Sequence, residues 1–139
     1  MIGPDAVVQI DKLLGPRGYL DRPEDLALYE YDGSVDKGRP ELVAFPQTAE
    51  DVQTLVQIAR DHRIPIVGRG AGTGLSGGVI ARAGGIVISF ARMNRIVEID
   101  LANERAVLEP GVVNLEITQA VERDGYFYAP DPSSQKACT

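Results

Sequence analysis

The chain has 139 residues, 44% hydrophobic and 24% charged, with a formal net charge of −6. That length allows one domain with a true core. The acidic balance, without any long like-charge run, argues against nucleic acid or an anionic membrane as a bulk-electrostatic partner. A single cysteine and a single histidine exclude an internal disulfide, a cysteine metal cage and a histidine cluster. The first residues lack a basic-then-apolar leader pattern, and no apolar run approaches membrane-spanning length. A reducing, cytoplasmic setting is therefore the expectation.

Residues 5–14 space their apolar positions for an amphipathic helix that Gly15-Pro16 stops. Pro23 starts a second helix over 23–29, with Glu24 and Asp25 in its first turn. Both read as peripheral. The polar run from Asp32 to Pro40 reads as an exposed loop, with Asp32 and Asp36 as solvated charges and Tyr29 and Tyr31 as helix-edge packing. Residues 1–40 thus form a helical lead-in, and the domain proper is expected over 41–139.

Leu42-Val43-Ala44-Phe45 is a buried strand ended by Pro46. Thr48 caps the next helix, with Asp51 completing a weak capping box and Val52, Leu55, Val56, Ile58 and Ala59 on its apolar face. A strand beginning at Pro65-Ile66-Val67 then delivers the chain into Gly68-Arg69-Gly70-Ala71-Gly72-Thr73-Gly74-Leu75-Ser76-Gly77-Gly78. A third apolar run, 86–90, follows. Residues 96–100 and 105–109 flank a polar turn as a hairpin, and Pro110-Gly111 breaks it. Asn114 caps a last helix carrying Leu115, Ile117, Ala120 and Val121 on one side, with Gly125 as its stop. Tyr126-Phe127-Tyr128 leads into a rigid polar turn over 129–134, and no closing element follows. The pattern is α+β.

Eight of the fifteen glycines lie between Gly68 and Gly85. Glycine costs entropy in ordered structure, so such density needs close backbone approach to a ligand, and converging N–H groups favour phosphate. A P-loop would need Gly-Lys-Ser/Thr, but Val79 follows Gly78 and no lysine lies between Lys37 and Lys136. Gly72-Thr73-Gly74-Leu75-Ser76-Gly77 matches a dinucleotide-binding G-x-G-x-x-G, yet residues 79–85 are too short and glycine-bounded for the helix that fold requires. The remaining choice is a loop that wraps a diphosphate with backbone N–H groups alone.

Pro46-x-Thr48-x-Glu50-Asp51-Val52 followed by Ile64-Pro65-Ile66-Val67-Gly68-Arg69-Gly70-Ala71-Gly72-Thr73-Gly74 resembles the flavin domain of FAD-linked oxidases, the p-cresol methylhydroxylase and vanillyl-alcohol oxidase superfamily. Leu75-Ser76-Gly77-Gly78 and the later run from Tyr128 to Gln135 resemble its glycolate oxidase catalytic subunit and D-lactate dehydrogenase branch. The resemblance implies two small β-sheets with flanking helices, FAD between them, and a domain left incomplete at Thr139. It places Arg69, Gly70, Ala71, Gly72, Thr73, Gly74, Leu75, Ser76 and Gly77 on the FAD diphosphate. Pro130, Asp131, Pro132, Ser133, Ala137, Cys138 and Thr139 form the second cofactor contact. Two readings of Arg69 stand: charge near the phosphates, or a pair with a carboxylate.

Thr73 stands where some members carry a flavin-tethering histidine, so non-covalent FAD is expected. His62 reads as a surface residue and Cys138 as packing. No catalytic residue and no metal set is expected within these residues. The implied whole enzyme oxidises a 2-hydroxy acid to a 2-oxo acid through a substrate domain beyond Thr139. Its electron acceptor is unspecified, and it associates with other oxidase subunits and sits peripheral to the inner membrane. The alternatives are a non-catalytic flavin- or nucleotide-binding module and an inert truncated fragment.

Overall fold

Two apolar runs, β2 (Leu42–Ala44) and β4 (Ile86–Ser89), lie side by side and parallel at the centre of a four-stranded sheet, fully buried along their length. In the computed structural model, which describes residues 1–139, the sheet order is β1-β2-β4-β3. β3 (Ile66–Arg69) pairs parallel to β4, and the two-residue β1 (Tyr19–Leu20) closes the other edge antiparallel to β2. A second sheet is the antiparallel hairpin β5 (Ile96–Asp100) and β6 (Arg105–Leu108), joined by a tight helical turn at 101–103 and a left-handed Glu104. Two small sheets with flanking helices are thus present, as expected.

Strand alternation sorts the core. Leu42, Ala44, Ile86 and Ile88 point to one face and meet α1 (Pro4–Leu14) through Ala6 and Ile10, and α3 (Ala49–Asp61) through Leu55, Ile58 and Ala59. Val43 and Val87 point to the other face and meet Leu26 of α2 (Pro23–Leu26) and Ala81. A parallel pair covered on both faces should read as near-continuous apolar sequence, and both runs do.

The first helix is therefore not peripheral, contrary to its reading from sequence. Ala6 and Ile10 have no solvent exposure and fill the core against the sheet. The second helix ends at Leu26 and continues only as a tighter turn over Ala27–Tyr29. The capping box of α3 is realised in full: Thr48 Oγ1 accepts from Asp51 N at 3.1 Å, and Asp51 Oδ2 accepts from Thr48 N at 3.1 Å. On the apolar side of α3, Leu55, Ile58 and Ala59 are buried while Val56 stays exposed.

The last helix, α4 (Asn114–Val121), begins one residue earlier than its sequence suggests. Val113 occupies the cap position, and its amide donates to Glu116 Oε2 at 3.2 Å. Asn114 is inside the helix, buried, and its side chain is used elsewhere. Ile117 and Val121 are the buried apolar positions of α4, whereas Ala120 is exposed. The helix tightens over Glu122–Asp124 and stops at Gly125 in the left-handed conformation, as expected.

Candidate functional site: a glycine crossover with free amides

Parallel neighbours cannot be joined by a tight turn; the chain must return along the sheet, usually as a helix. Between β3 and β4 that crossover is the glycine segment itself, residues 70–85, which leaves the carboxyl end of β3 at Arg69. Ligands of open parallel sheets gather outside such carboxyl ends. The segment holds no regular secondary structure. Gly72 (φ 73°) and Gly77 (φ 69°) adopt the left-handed backbone that glycine alone takes without strain.

Hydrogen-bond accounting sets this loop apart. A protein amide out of the reach of water should be paired, and helices, strands and turns pair most of this chain. The seven consecutive amides from Gly70 to Ser76 donate to no protein acceptor. A Cβ built on Gly74 or on Gly78 would meet nothing within 4 Å. The loop presents a row of free donors with open space beside Gly74 and Gly78, which is what an anion-binding nest requires.

The rear of the loop is fully engaged. The Arg69 guanidinium is buried beneath Gly72, where any Cβ would overlap it. It donates to the Tyr31 carbonyl at 2.9 Å and lies 5.5 Å from the centre of the Tyr29 ring. Neither sequence reading of Arg69 describes that hydrogen bond, which runs to a carbonyl. Tyr29 meets Phe45 edge-on at 6.0 Å, and Arg92 stacks 5.1 Å from Phe45. A column of alternating charge and ring thus supports the loop from below.

The run from Asp32 to Pro40 is a loop, but only partly an exposed one: Gly33, Val35, Lys37 and Arg39 are exposed. Asp32, Gly38 and Pro40 are buried, and the segment wraps the rear of the crossover. Gly33 N donates to Gly74 O at 2.9 Å, Asp36 pairs with Arg82, and Tyr31 bridges Lys37. Asp32 accepts from Ser34 N at 2.8 Å. The Ser34 side chain and then its amide hold the Asp32 carboxyl below its ordinary range, with the Gly77 amide and Arg69 acting in the same direction. Sequence reasoning missed these contacts. Their signal, Asp32-Gly33-Ser34, was read only as a surface turn.

The second predicted segment meets the first. A Cβ on Gly70 would overlap Thr139 Oγ1, so the start of the glycine loop and the end of the chain touch. Residues 133–137 form a turn in which Ala137 N donates to Ser134 O at 2.7 Å. The amino end of α4 holds that turn: Asn114 N donates to Cys138 O at 2.9 Å and Leu115 N to Gln135 O at 3.0 Å. The Asn114 side chain donates to Pro130 O at 3.2 Å. The carbonyls of the C-terminal segment thus satisfy the first helix amides, the task sequence reasoning gave to Asn114. Cys138 is half-buried, while Pro130, Asp131, Pro132, Ser133, Ala137 and Thr139 are exposed beside it. His62 lies outside the site, at the end of α3, beside Gln9.

A glycine crossover with a closed rear and seven free amides in front, touching a second small-residue segment, defines a dinucleotide-cradling domain of mixed α+β class. The FAD binding domain family model matches residues 40–139, and the chain belongs to that family. It is 39% identical over 140 residues to the glycolate oxidase subunit GlcD of Bacillus subtilis (strain 168), covering 100% of this chain and 30% of that protein. It is 32% identical over 114 residues to a D-lactate dehydrogenase of Anaerostipes hadrus, covering 82% and 23%. Among solved structures, p-cresol methylhydroxylase with substrate bound superposes with a TM-score of 0.77 at 26% identity, covering 87% of this chain and 24% of that one.

The chain thus spans under a third of the length of these relatives. FAD is the cofactor of the family, and the free donors and absent side chains of the loop fit its diphosphate. No helix of the structure is long and apolar enough to cross a membrane.

Proposed function

We propose that these residues hold the FAD of an oxidoreductase that converts a 2-hydroxy acid, of the glycolate or D-lactate type, to the 2-oxo acid. The observation that carries the reading is the row of free amides from Gly70 to Ser76. They would receive the diphosphate oxygens, with Thr73 and Ser76 adding hydroxyl donors. Arg69 would act through the loop as buried positive charge rather than as a direct ligand. The segment 130–139, tied to α4, would take the flavin side of the cofactor.

Bound FAD would supply hydride acceptance. The chain's own residues bind and orient it and contribute no catalytic side chain. The substrate pocket belongs to residues beyond those described. FAD would be held without a covalent bond, since Thr73 offers no nucleophilic ring nitrogen at the apex of the loop. The names of the relatives support the hydroxy-acid class and an assembly with further subunits. The proposed setting is the cytoplasm, with the assembled enzyme peripheral to the inner membrane.

The test is native purification of the full-length protein, followed by release of the flavin and turnover with glycolate and with D-lactate against an artificial electron acceptor. FAD released by mild denaturation and reduction of the dye by one of the two acids are expected. Flavin-free protein would contradict the cofactor assignment. Flavin without turnover on either acid would contradict the substrate class.

A further inference from the structure

The rear of the glycine crossover contains one group that the cofactor reading leaves unexplained. Asp32 is 9% exposed, and its Oδ2 is buried without a hydrogen-bond partner. A buried polar atom without a partner costs free energy, so a carboxylate in that position needs a compensating role. Its other oxygen, Oδ1, accepts the Ser34 amide in an Asx turn. The same turn carries Gly33, whose amide holds the Gly74 carbonyl at 2.9 Å. The Gly77 amide and the Arg69 guanidinium are the charged and polar neighbours of Asp32 on the loop side.

We propose that Asp32 is a positioning residue for the cofactor diphosphate: from behind the loop it sets the curvature that makes the amides of residues 70–76 converge on the other side. The inference rests on the cofactor reading above and deepens it. The geometry divides the work. Gly33 N–H pins the middle of the loop by its carbonyl side at Gly74, so the amides around it must face outward. The Asp32 carboxylate holds the Asx turn that sets Gly33 against Thr73, Gly74 and Leu75. Arg69 fills the space below Gly72, and its positive charge offsets the buried carboxylate. A nest whose curvature is set before the ligand arrives binds with less ordering cost than one that must be gathered by it.

An asparagine at 32 keeps the size and the Oδ1 acceptor of the Asx turn but removes the charge and turns the second oxygen into a donor. The Ser34 amide would keep its acceptor, while the buried negative charge that faces Arg69 would be lost. A second variant needs no change of charge. A Cβ on Gly33 would lie 2.9 Å from Leu75 Cδ2, 3.0 Å from Gly74 O and 3.2 Å from Thr73 O, and so would push the loop directly. Gly33 is exposed and its turn does not belong to the core.

The experiment compares ligands that do and do not carry a diphosphate. Flavin-free full-length protein is titrated with FAD, ADP and riboflavin, as wild type, Asp32→Asn and Gly33→Ala, and thermal unfolding of each apoprotein is recorded. Asp32→Asn should weaken FAD and ADP together by about tenfold and leave riboflavin unchanged, with the apoprotein unfolding at the wild-type temperature. Gly33→Ala should show the same selective loss. Wild-type affinity for ADP in both variants would overturn the proposal, as would an equal loss of all three ligands. Wild-type protein that binds riboflavin and FAD alike, and ADP not at all, would instead overturn the diphosphate reading on which it rests.

Discussion

Along β2 and β4 every residue is buried, whereas along β5 and β6 none is. The four-stranded sheet is clamped between α1 and α3 on one face and α2 with the crossover on the other, so apolar burial holds it. The hairpin exposes Val97, Ile99 and Val107 and is held at its ends by polar contacts. Arg95 binds Glu109 through side chain and amide, at 2.6 and 2.8 Å. Asp100 accepts Asn103 Nδ2 at 2.7 Å and lies 3.1 Å from Arg105 Nε. An apolar cleft opens beside the hairpin against Val121, Tyr126 and Tyr128 and contains no glycine-loop residue. The first sheet is a scaffold. The second is a rim, and it is the C-terminal segment that reaches the scaffold's loop, where Thr139 meets Gly70.

The comparison breaks most visibly in the core. Ile86→Ala should cost about 4 kcal/mol by the transfer and cavity terms for a fully buried side chain, and Ile99→Ala on the half-exposed hairpin less than about 1 kcal/mol. Urea unfolding of both variants measures the gap, and equal losses would show the two sheets to be one core. Gly72→Val places a β-branched residue at φ 73° and against Arg69. Such strain costs about 1–3 kcal/mol. It should appear as a weaker FAD titration together with a urea midpoint lowered less than by Ile86→Ala.

Thr48→Ala removes half of the α3 capping box and should lower scaffold stability by about 1 kcal/mol, read by the same urea curves, with no effect on hairpin amide exchange. Acid should act in the opposite place. Glu109 lies below its ordinary 4.5 because the Arg95 side chain hydrogen-bonds to it, and Asp100 lies below its ordinary 3.8 because the Asn103 side chain does. Both bind fewer protons folded than unfolded, so their contribution is complete above those ordinary values and fades as pH falls through the depressed ones. Amide exchange in β5–β6 should therefore rise as pH falls below about 4.5, before that of β2–β4. Glu109→Gln should raise the hairpin rates already at neutral pH.

Sequence and structure agree where a local signal carries the whole cause. Thr48 and Asp51 form their box within one turn of backbone, the polar stretch 101–104 turns the hairpin, and the apolar runs from Leu42 and Ile86 form buried strands that end one residue early, with Phe45 and Phe90 half-buried. Disagreement follows long-range contacts. β1 is two residues long and exists only through its pairing with β2. The core role of α1 depends on Ala6 and Ile10 meeting strands far along the chain. Asp32 reads as a surface charge because its neighbours Arg69 and Gly77 lie far along the chain. Asn114 reads as a helix cap because the carbonyls that take over that task come from Gln135 and Cys138. The glycine loop was legible as an irregular, glycine-built segment, while the clasp behind it was not.

The central claim is that the amides of Gly70–Ser76 are free because FAD takes them. Hydrogen–deuterium exchange of the full-length protein, with and without FAD, tests it peptide by peptide. The account predicts fast exchange over 70–76 in the apoprotein, strong protection there and over 133–139 once FAD is bound, and little change along β5–β6. Protection that appears elsewhere while residues 70–76 keep exchanging at the free rate would contradict it.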